Sequence, residues 1–129
     1  MNACDAYISM HRAEGLGLGL LEAMQMGKPA VATGYSGNLE FMNRRNSILI
    51  DYKLTCPKTD FNPYKDVTLW AEPDAECAAT ALRKLYEDRL FAAELGLNGL
   101  RSITDRFSIR KYQQNLYALL KDIKNAEKH

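Results

Sequence analysis

The stretch Ser9–Thr33, SMHRAEGLGLGLLEAMQMGKPAVAT, decides the fold. It begins inside an apolar, β-favouring run, Ala6–Met10 (AYISM), and ends on a second one, Ala30–Thr33 (AVAT). Between them Leu20, Leu21 and Met24 stand at helical spacing within Leu18–Met26, and Gly27 is placed to cap that helix at its C-terminus. A third run, Ile48–Tyr52 (ILIDY), follows the polar turn Asn43–Ser47, with a short helix expected over Asn38–Met42. This alternation of buried strand and helix argues for a parallel sheet of about three strands with right-handed crossovers, a Rossmann-like three-layer α/β fold.

Downstream the pattern changes. Leu54–Leu69 has no clean period and carries Pro57 and Pro63, so a long ordered loop is expected there. From Glu72 the chain reads as helical, with Pro73 suited to a first helical position and Ala78, Ala81, Leu82, Leu85 and Tyr86 on one apolar face. A second helix is expected from Arg89 to Ile103, weakened near Gly96 and Gly99, and a third after the N-cap Ser108. In that last helix Tyr112, Leu116, Leu119, Leu120 and Ile123 make a stripe at i, i+4, i+7, i+8 and i+11, which reads as core packing.

Composition narrows the classes. The 129 residues fit one domain, and 17 basic against 16 acidic residues give a net charge of +1. No global basic field points to nucleic acid or an anionic membrane, so any anion site must be local. Cys4, Cys56 and Cys77 are odd in number and form no CxxC pair, which indicates neither a disulfide framework nor a zinc site and suggests a reducing compartment. No apolar run reaches the roughly 20 residues of a membrane span, and the expected location is cytoplasmic.

The turn from a parallel strand into a helix brings backbone N–H groups and the positive end of the helix dipole to the carboxyl edge of the sheet. Gly15, Gly17 and Gly19 let a ligand approach that backbone closely. Glu14 closes the loop and Glu22 lies further along the helix, too far apart to be assumed a hydrolytic pair. They are suited to gripping two parts of one elongated ligand, with phosphate in the middle and hydroxyls at both ends. A glycine turn serving only tight packing fits the spacing equally well, and the dinucleotide fingerprint fails because Leu20 holds its third glycine position. In the loop Gly34–Asn38 (GYSGN), Ser36 and Asn38 suit either ligand hydrogen bonds or turn and cap roles. His11 lacks a second histidine, so no metal is expected, and Arg12 reads as a surface charge or a partner for Glu14.

EGLGLGLLEAM, followed by GKPAVAT and GYSGN, resembles the signature region of the retaining glycosyltransferase family 4, whose members have the two-domain GT-B fold. The resemblance runs from about Cys4 to Tyr52, and WAEPD at Trp70–Asp74 fits more loosely. It implies that Glu14 holds the transferred sugar as the catalytic glutamate, that Gly15, Leu16, Gly17 and Leu18 present backbone to the donor, that Glu22 binds the ribose, and that Ser36 and Asn38 face the donor cleft. Leu16 and Gly19 stand where the family usually has phenylalanine and often proline or threonine, and Gly19 adds flexibility.

By the same resemblance, residues 1–129 match only the second half of a GT-B C-terminal donor domain, without the N-terminal acceptor domain. The expectation is part of an enzyme that transfers sugar from a nucleotide-sugar donor to a glycan or lipid-linked acceptor in polysaccharide biosynthesis, inactive as the isolated chain, with no cofactor or metal. The full-length enzyme would be cytoplasmic or membrane-associated. A non-catalytic nucleotide-sugar-binding or interaction module is the alternative. The strand at Ala6–Met10 should expose an unpaired edge, through which a homo-oligomer is expected.

Overall fold

The computed structural model describes residues 3–56 and 69–126. Its centre is a parallel sheet in the order β1 (Tyr7–Ser9), β2 (Ala30–Thr33), β3 (Ile48–Ile50), with Tyr7 beside Ala30 and Val31 beside Ile48. β2, in the middle, is buried along its whole length, as a strand covered on both faces must be. Side chains alternate between two cores. Ala30 and Ala32, joined by Tyr7 and Leu49, pack on Leu20 and Met24 of α1 (Leu18–Gln25), while Val31, Ile8, Ile48 and Ile50 meet Ala78, Ala81 and Leu85 of α2 (Ala75–Glu87). The result is the expected three-layer α/β fold.

The crossover helix ends as its sequence indicates. Gly27 adopts φ +68°, its N–H donates to the Met24 carbonyl at 3.0 Å, and the Lys28 N–H donates to the Ala23 carbonyl at 2.9 Å, the paired bonds of a Schellman cap. The helix expected over Asn38–Met42 is a single 3₁₀ turn at Gly37–Glu40.

Three expectations about the middle of the chain need correction. The run Ile48–Tyr52 is split at Asp51: β3 stops at Ile50, and β4 (Tyr52–Thr55) turns away to pair antiparallel with β5 (Trp70–Pro73). The segment read as a loop from Leu54 therefore begins as strand, and its remainder, 57–68, lies outside the described residues. Pro73 ends β5 instead of opening a helix. Asp74 is the cap of α2, its Oδ1 accepting from the N–H groups of Glu76 at 2.9 Å and Cys77 at 3.1 Å.

α3 (Arg89–Arg106) runs unbroken through Gly96 and Gly99, and both glycines are buried. It crosses the amino edge of the sheet, where Gly96 lies on the Gly27 carbonyl and Gly99 faces the Asn46 carbonyl. Asn46 fastens this edge: its amide donates to the Phe41 carbonyl at 2.8 Å and to Ser102 Oγ at 3.0 Å. The last helix, α4 (Ile109–Ala126), starts where Ser108 caps the Lys111 N–H at 3.2 Å. Its apolar stripe is not core: no α4 residue is buried, and Tyr112 and Leu119 are well exposed. Leu82 and Tyr86 of α2 are exposed too, so that helix buries a narrower face than its pattern suggests.

Candidate functional site

The carboxyl ends of β1 and β2 lead into two loops that meet. Ser36 Oγ accepts from the Glu14 N–H at 3.2 Å and donates to the Glu14 carbonyl at 2.7 Å, and the Gly37 N–H donates to that same carbonyl at 3.0 Å. Three hydrogen bonds thus fix the backbone of Glu14 and leave its half-buried side chain to other work. Ser36 holds this position at φ 80°, ψ −153°, a region disfavoured for any residue with a side chain. Gly37 sits so close to Gly15 that a Cβ there would overlap the Gly15 carbonyl.

Of the two roles that suited Ser36 and Asn38, their contacts here are those of the loop. The Ser36 hydroxyl is engaged by the Glu14 backbone. Asn38 is fully buried, its amide donating to the Thr33 carbonyl at 3.1 Å, and its Cβ lies 3.6 Å from where a Cβ on Gly17 would stand. Asn38 forms the floor under the glycine loop. Its Oδ1 and the Thr33 hydroxyl, both buried, have no partner among the described residues.

Gly17 turns the chain into α1 at φ 88°, ψ 53°, a left-handed conformation that costs a residue with a Cβ about 1–2 kcal/mol. No side chain caps this end of α1. The first intrahelical bond runs from the Leu21 N–H to the Gly17 carbonyl at 2.9 Å, which leaves the N–H groups of Leu18, Gly19 and Leu20 without helical acceptors. Leu16 and Leu18 are exposed beside this turn, as is Glu22 one turn further on. Gly19 has a packing reason instead of the expected flexibility: a Cβ there would come within 2.6 Å of the Tyr7 hydroxyl. Glu14, Gly15, Gly17, Leu18 and Glu22 therefore follow one continuous rim at the carboxyl edge, with uncapped donors between the two carboxylates. Such a rim can hold an anion on backbone N–H groups and hydroxyls on either side.

Two residues on the N-terminal side of Glu14 were only partly legible. His11 Nε2 lies 2.9 Å from the Tyr35 carbonyl, and since a carbonyl only accepts, this nitrogen carries the proton, while Nδ1 accepts from the Ser9 hydroxyl at 3.1 Å. His11 thus ties the end of β1 to the loop after β2. Arg12 pairs with Glu72 of β5, Nε at 2.6 Å and an Nη at 2.7 Å, and not with Glu14. The fork of hydrogen bonds holds the Glu72 carboxyl below the usual glutamate range and raises the Arg12 guanidinium further. Because the folded-state pKa of Glu72 is the lower one, whatever this exposed pair contributes is present above the ordinary glutamate pKa and lost as pH falls through the folded value.

Among the described residues no group of three or more histidine, cysteine or acidic side chains is placed to hold a metal ion, and no helix is long and apolar enough to cross a membrane.

The chain is similar in sequence and in fold to known proteins. The chain is 27% identical over 120 residues to the alpha-1,3/1,6-mannosyltransferase ALG2 of Dictyostelium discoideum, covering 93% of this chain and 24% of that protein. Its fold matches the crystal structure of Anabaena Alr3699/HepE in complex with UDP, with a TM-score of 0.66 and 22% identity over 93% of this chain and 28% of the other. The same protein in complex with UDP and glucose matches with a TM-score of 0.65. This chain therefore spans about a quarter of the length of the proteins it resembles. The sequence profile of the family described as "Glycosyl transferases group 1" matches residues 1–88, taking in β1 through α2 and both loops of the site, and the chain belongs to that family.

Proposed function

We propose that this chain is the donor half-site of a retaining, family 4 glycosyltransferase that moves a sugar from a nucleotide sugar to a glycan or lipid-linked acceptor in polysaccharide biosynthesis. The observation that carries the reading is the rim itself: a backbone-locked Glu14, a left-handed Gly17, the uncapped start of α1, and Glu22 one turn along. Glu14 accepts hydrogen bonds from hydroxyls of the sugar being transferred. The N–H groups from Gly15 to Leu20 stabilise the diphosphate as charge builds on it during departure. Glu22, about 6 Å along the helix axis from Leu18 at 1.5 Å per residue, receives the ribose hydroxyls. Attack on the face from which the diphosphate leaves would retain the anomeric configuration. That HepE, of similar fold, is found in complex with UDP supports a nucleotide as the ligand.

In this reading residues 1–129 are the second half of a GT-B donor domain, and the acceptor-binding part belongs to the remaining three-quarters of a relative's length. Transfer needs an acceptor held in line and water excluded, so the isolated chain binds donor without useful turnover. The enzyme works in the cytoplasm, free or at the membrane face. β1 is an edge of the sheet among the described residues, and strand pairing there, with another copy or with the rest of a longer chain, completes it.

Calorimetric titration with UDP, GDP and ADP tests the proposal. One nucleotide should bind, and Glu22→Ala should weaken it about 10-fold or more, the loss of hydrogen bonds to a charged group. Equal binding of the nucleotide by wild type and variant would remove Glu22 from the site.

A further inference from the structure

Tyr7 opens β1 on the face that α1 covers, its ring half-buried against the core that holds Leu20 and Met24. From there the side chain reaches the first turn of α1. A Cβ on Gly19 would stand 2.6 Å from the Tyr7 hydroxyl oxygen, 3.2 Å from Cζ and 3.7 Å from Cε1. The approach closes towards the tip, so it is the hydroxyl that occupies the place of a side chain at residue 19. In an α-helix each Cα–Cβ bond tilts towards the N-terminus. The hydroxyl therefore stands on the N-terminal side of Gly19, in the turn whose Leu18, Gly19 and Leu20 N–H groups have no helical acceptor.

Among the described residues this hydroxyl donates to nothing, and unlike that of Thr33 it is not fully buried. Its surroundings favour an anionic acceptor. Residues 14–22 carry two carboxylates and no basic side chain. Arg12, just before them, is forked onto Glu72, and both His11 nitrogens are engaged, one by Ser9 and one by the Tyr35 carbonyl. An anion at the start of α1 is thus held by the helix dipole and by neutral donors, and a phenolic O–H joins them as a donor from a side chain. An O–H bond to a charged oxygen is shorter and stronger than one to a neutral acceptor.

We infer that Tyr7 is a phosphate-binding residue of the donor rim, its O–H donating to a phosphate oxygen that the N–H groups of the first turn also hold. The identity of the anion rests on the proposed donor reading. Within that reading the inference adds a side chain from β1, outside the Glu14–Glu22 segment. Tyr7 and Gly19 then form one feature: the hydroxyl can stand in this turn only because residue 19 has no side chain, and the glycine leaves the backbone donors open beside it.

Tyr7→Phe removes the oxygen and keeps the packing of the ring. The full 129-residue chain and this variant are titrated calorimetrically with UDP, GDP, ADP and inorganic pyrophosphate, and urea midpoints are measured on both. The variant should bind pyrophosphate and the accepted nucleotide about 10-fold more weakly, the loss of one hydrogen bond to a charged group, at an unchanged urea midpoint. Gly19→Ser in the Tyr7→Phe background returns a hydroxyl to the same turn, with Cζ at 3.2 Å from the new Cβ, and should recover most of the affinity. A nucleotide bound equally by wild type and Tyr7→Phe overturns the assignment and leaves the donor reading standing. A loss of affinity that comes with a lower urea midpoint, and that Gly19→Ser does not recover, makes the hydroxyl a packing group and also overturns it. Pyrophosphate bound in a Tyr7-dependent way by a chain that ignores every nucleotide upholds the phosphate contact and overturns the donor reading. A folded chain that binds none of the four overturns both.

Discussion

Replacing Gly37 with alanine is expected to unfasten the donor rim and to destabilise the chain by about 2–3 kcal/mol, the upper part of the range for forced overpacking. The added Cβ would overlap the Gly15 carbonyl and lie 3.0 Å from the Glu14 carbonyl oxygen. Both obstacles are backbone, so no side chain can rotate away. Relief requires the Gly34–Asn38 loop to leave the Glu14–Gly17 loop, which breaks the Gly37 N–H bond and strains the two made by Ser36. Urea denaturation should show a lower midpoint with an unchanged slope, and nucleotide affinity should fall with it. Gly15→Ala is the matched control for stability, since a Cβ there meets nothing within 4 Å. Equal stability of the two variants would mean that the loops are not locked together.

The second large effect has the opposite sign from what local propensity dictates. Glycine to alanine inside an exposed helix ordinarily stabilises by about 1 kcal/mol. At Gly96, in the middle of α3, alanine should destabilise by about 1–3 kcal/mol, because its methyl group would overlap the Gly27 carbonyl and press to 3.3 Å on Pro29 Cδ. α3 would have to lift from the turn that feeds β2, at the edge opposite the site. Gly99→Ala should cost less, its nearest neighbours being the Asn46 carbonyl at 3.3 Å and the flexible end of Met24 at 3.5 Å. Urea midpoints for the two variants check the order, and a Gly96→Ala protein more stable than wild type would contradict the close packing of α3 on this turn.

These glycines show what a sequence does and does not disclose. Along one helix Gly96 and Gly99 read as weak points, because the carbonyls that require them come from residues about seventy and fifty positions away. The central strand and its crossover were legible because their signals are local: an apolar run, helical spacing, and a glycine at the cap. The β4–β5 hairpin was not, since Tyr52–Thr55 is exposed and its partner lies beyond residues 56–69. Pro73 suits a strand end as well as a helix start, and only the pairing of Tyr52 with Pro73 separates the two. The stripe on α4 reads as core by its period, yet amphipathy alone does not bury a face, and no described α4 residue is buried. In the site, Glu14, the glycines and Glu22 follow one another along the chain and could be read from it. That Ser36 and Asn38 turn inward, and that Arg12 finds Glu72, are facts of tertiary distance.

The most direct test of the donor half-site is a UDP titration of the isotopically labelled chain followed through its backbone amides. The structure predicts that the largest shifts fall on Gly17, Leu18 and Gly19, whose N–H groups stand uncapped or left-handed at the start of α1, and that in Glu22→Ala they require about 10-fold more UDP. A folded protein whose glycine-loop amides do not move at saturating UDP, GDP or ADP would contradict the account.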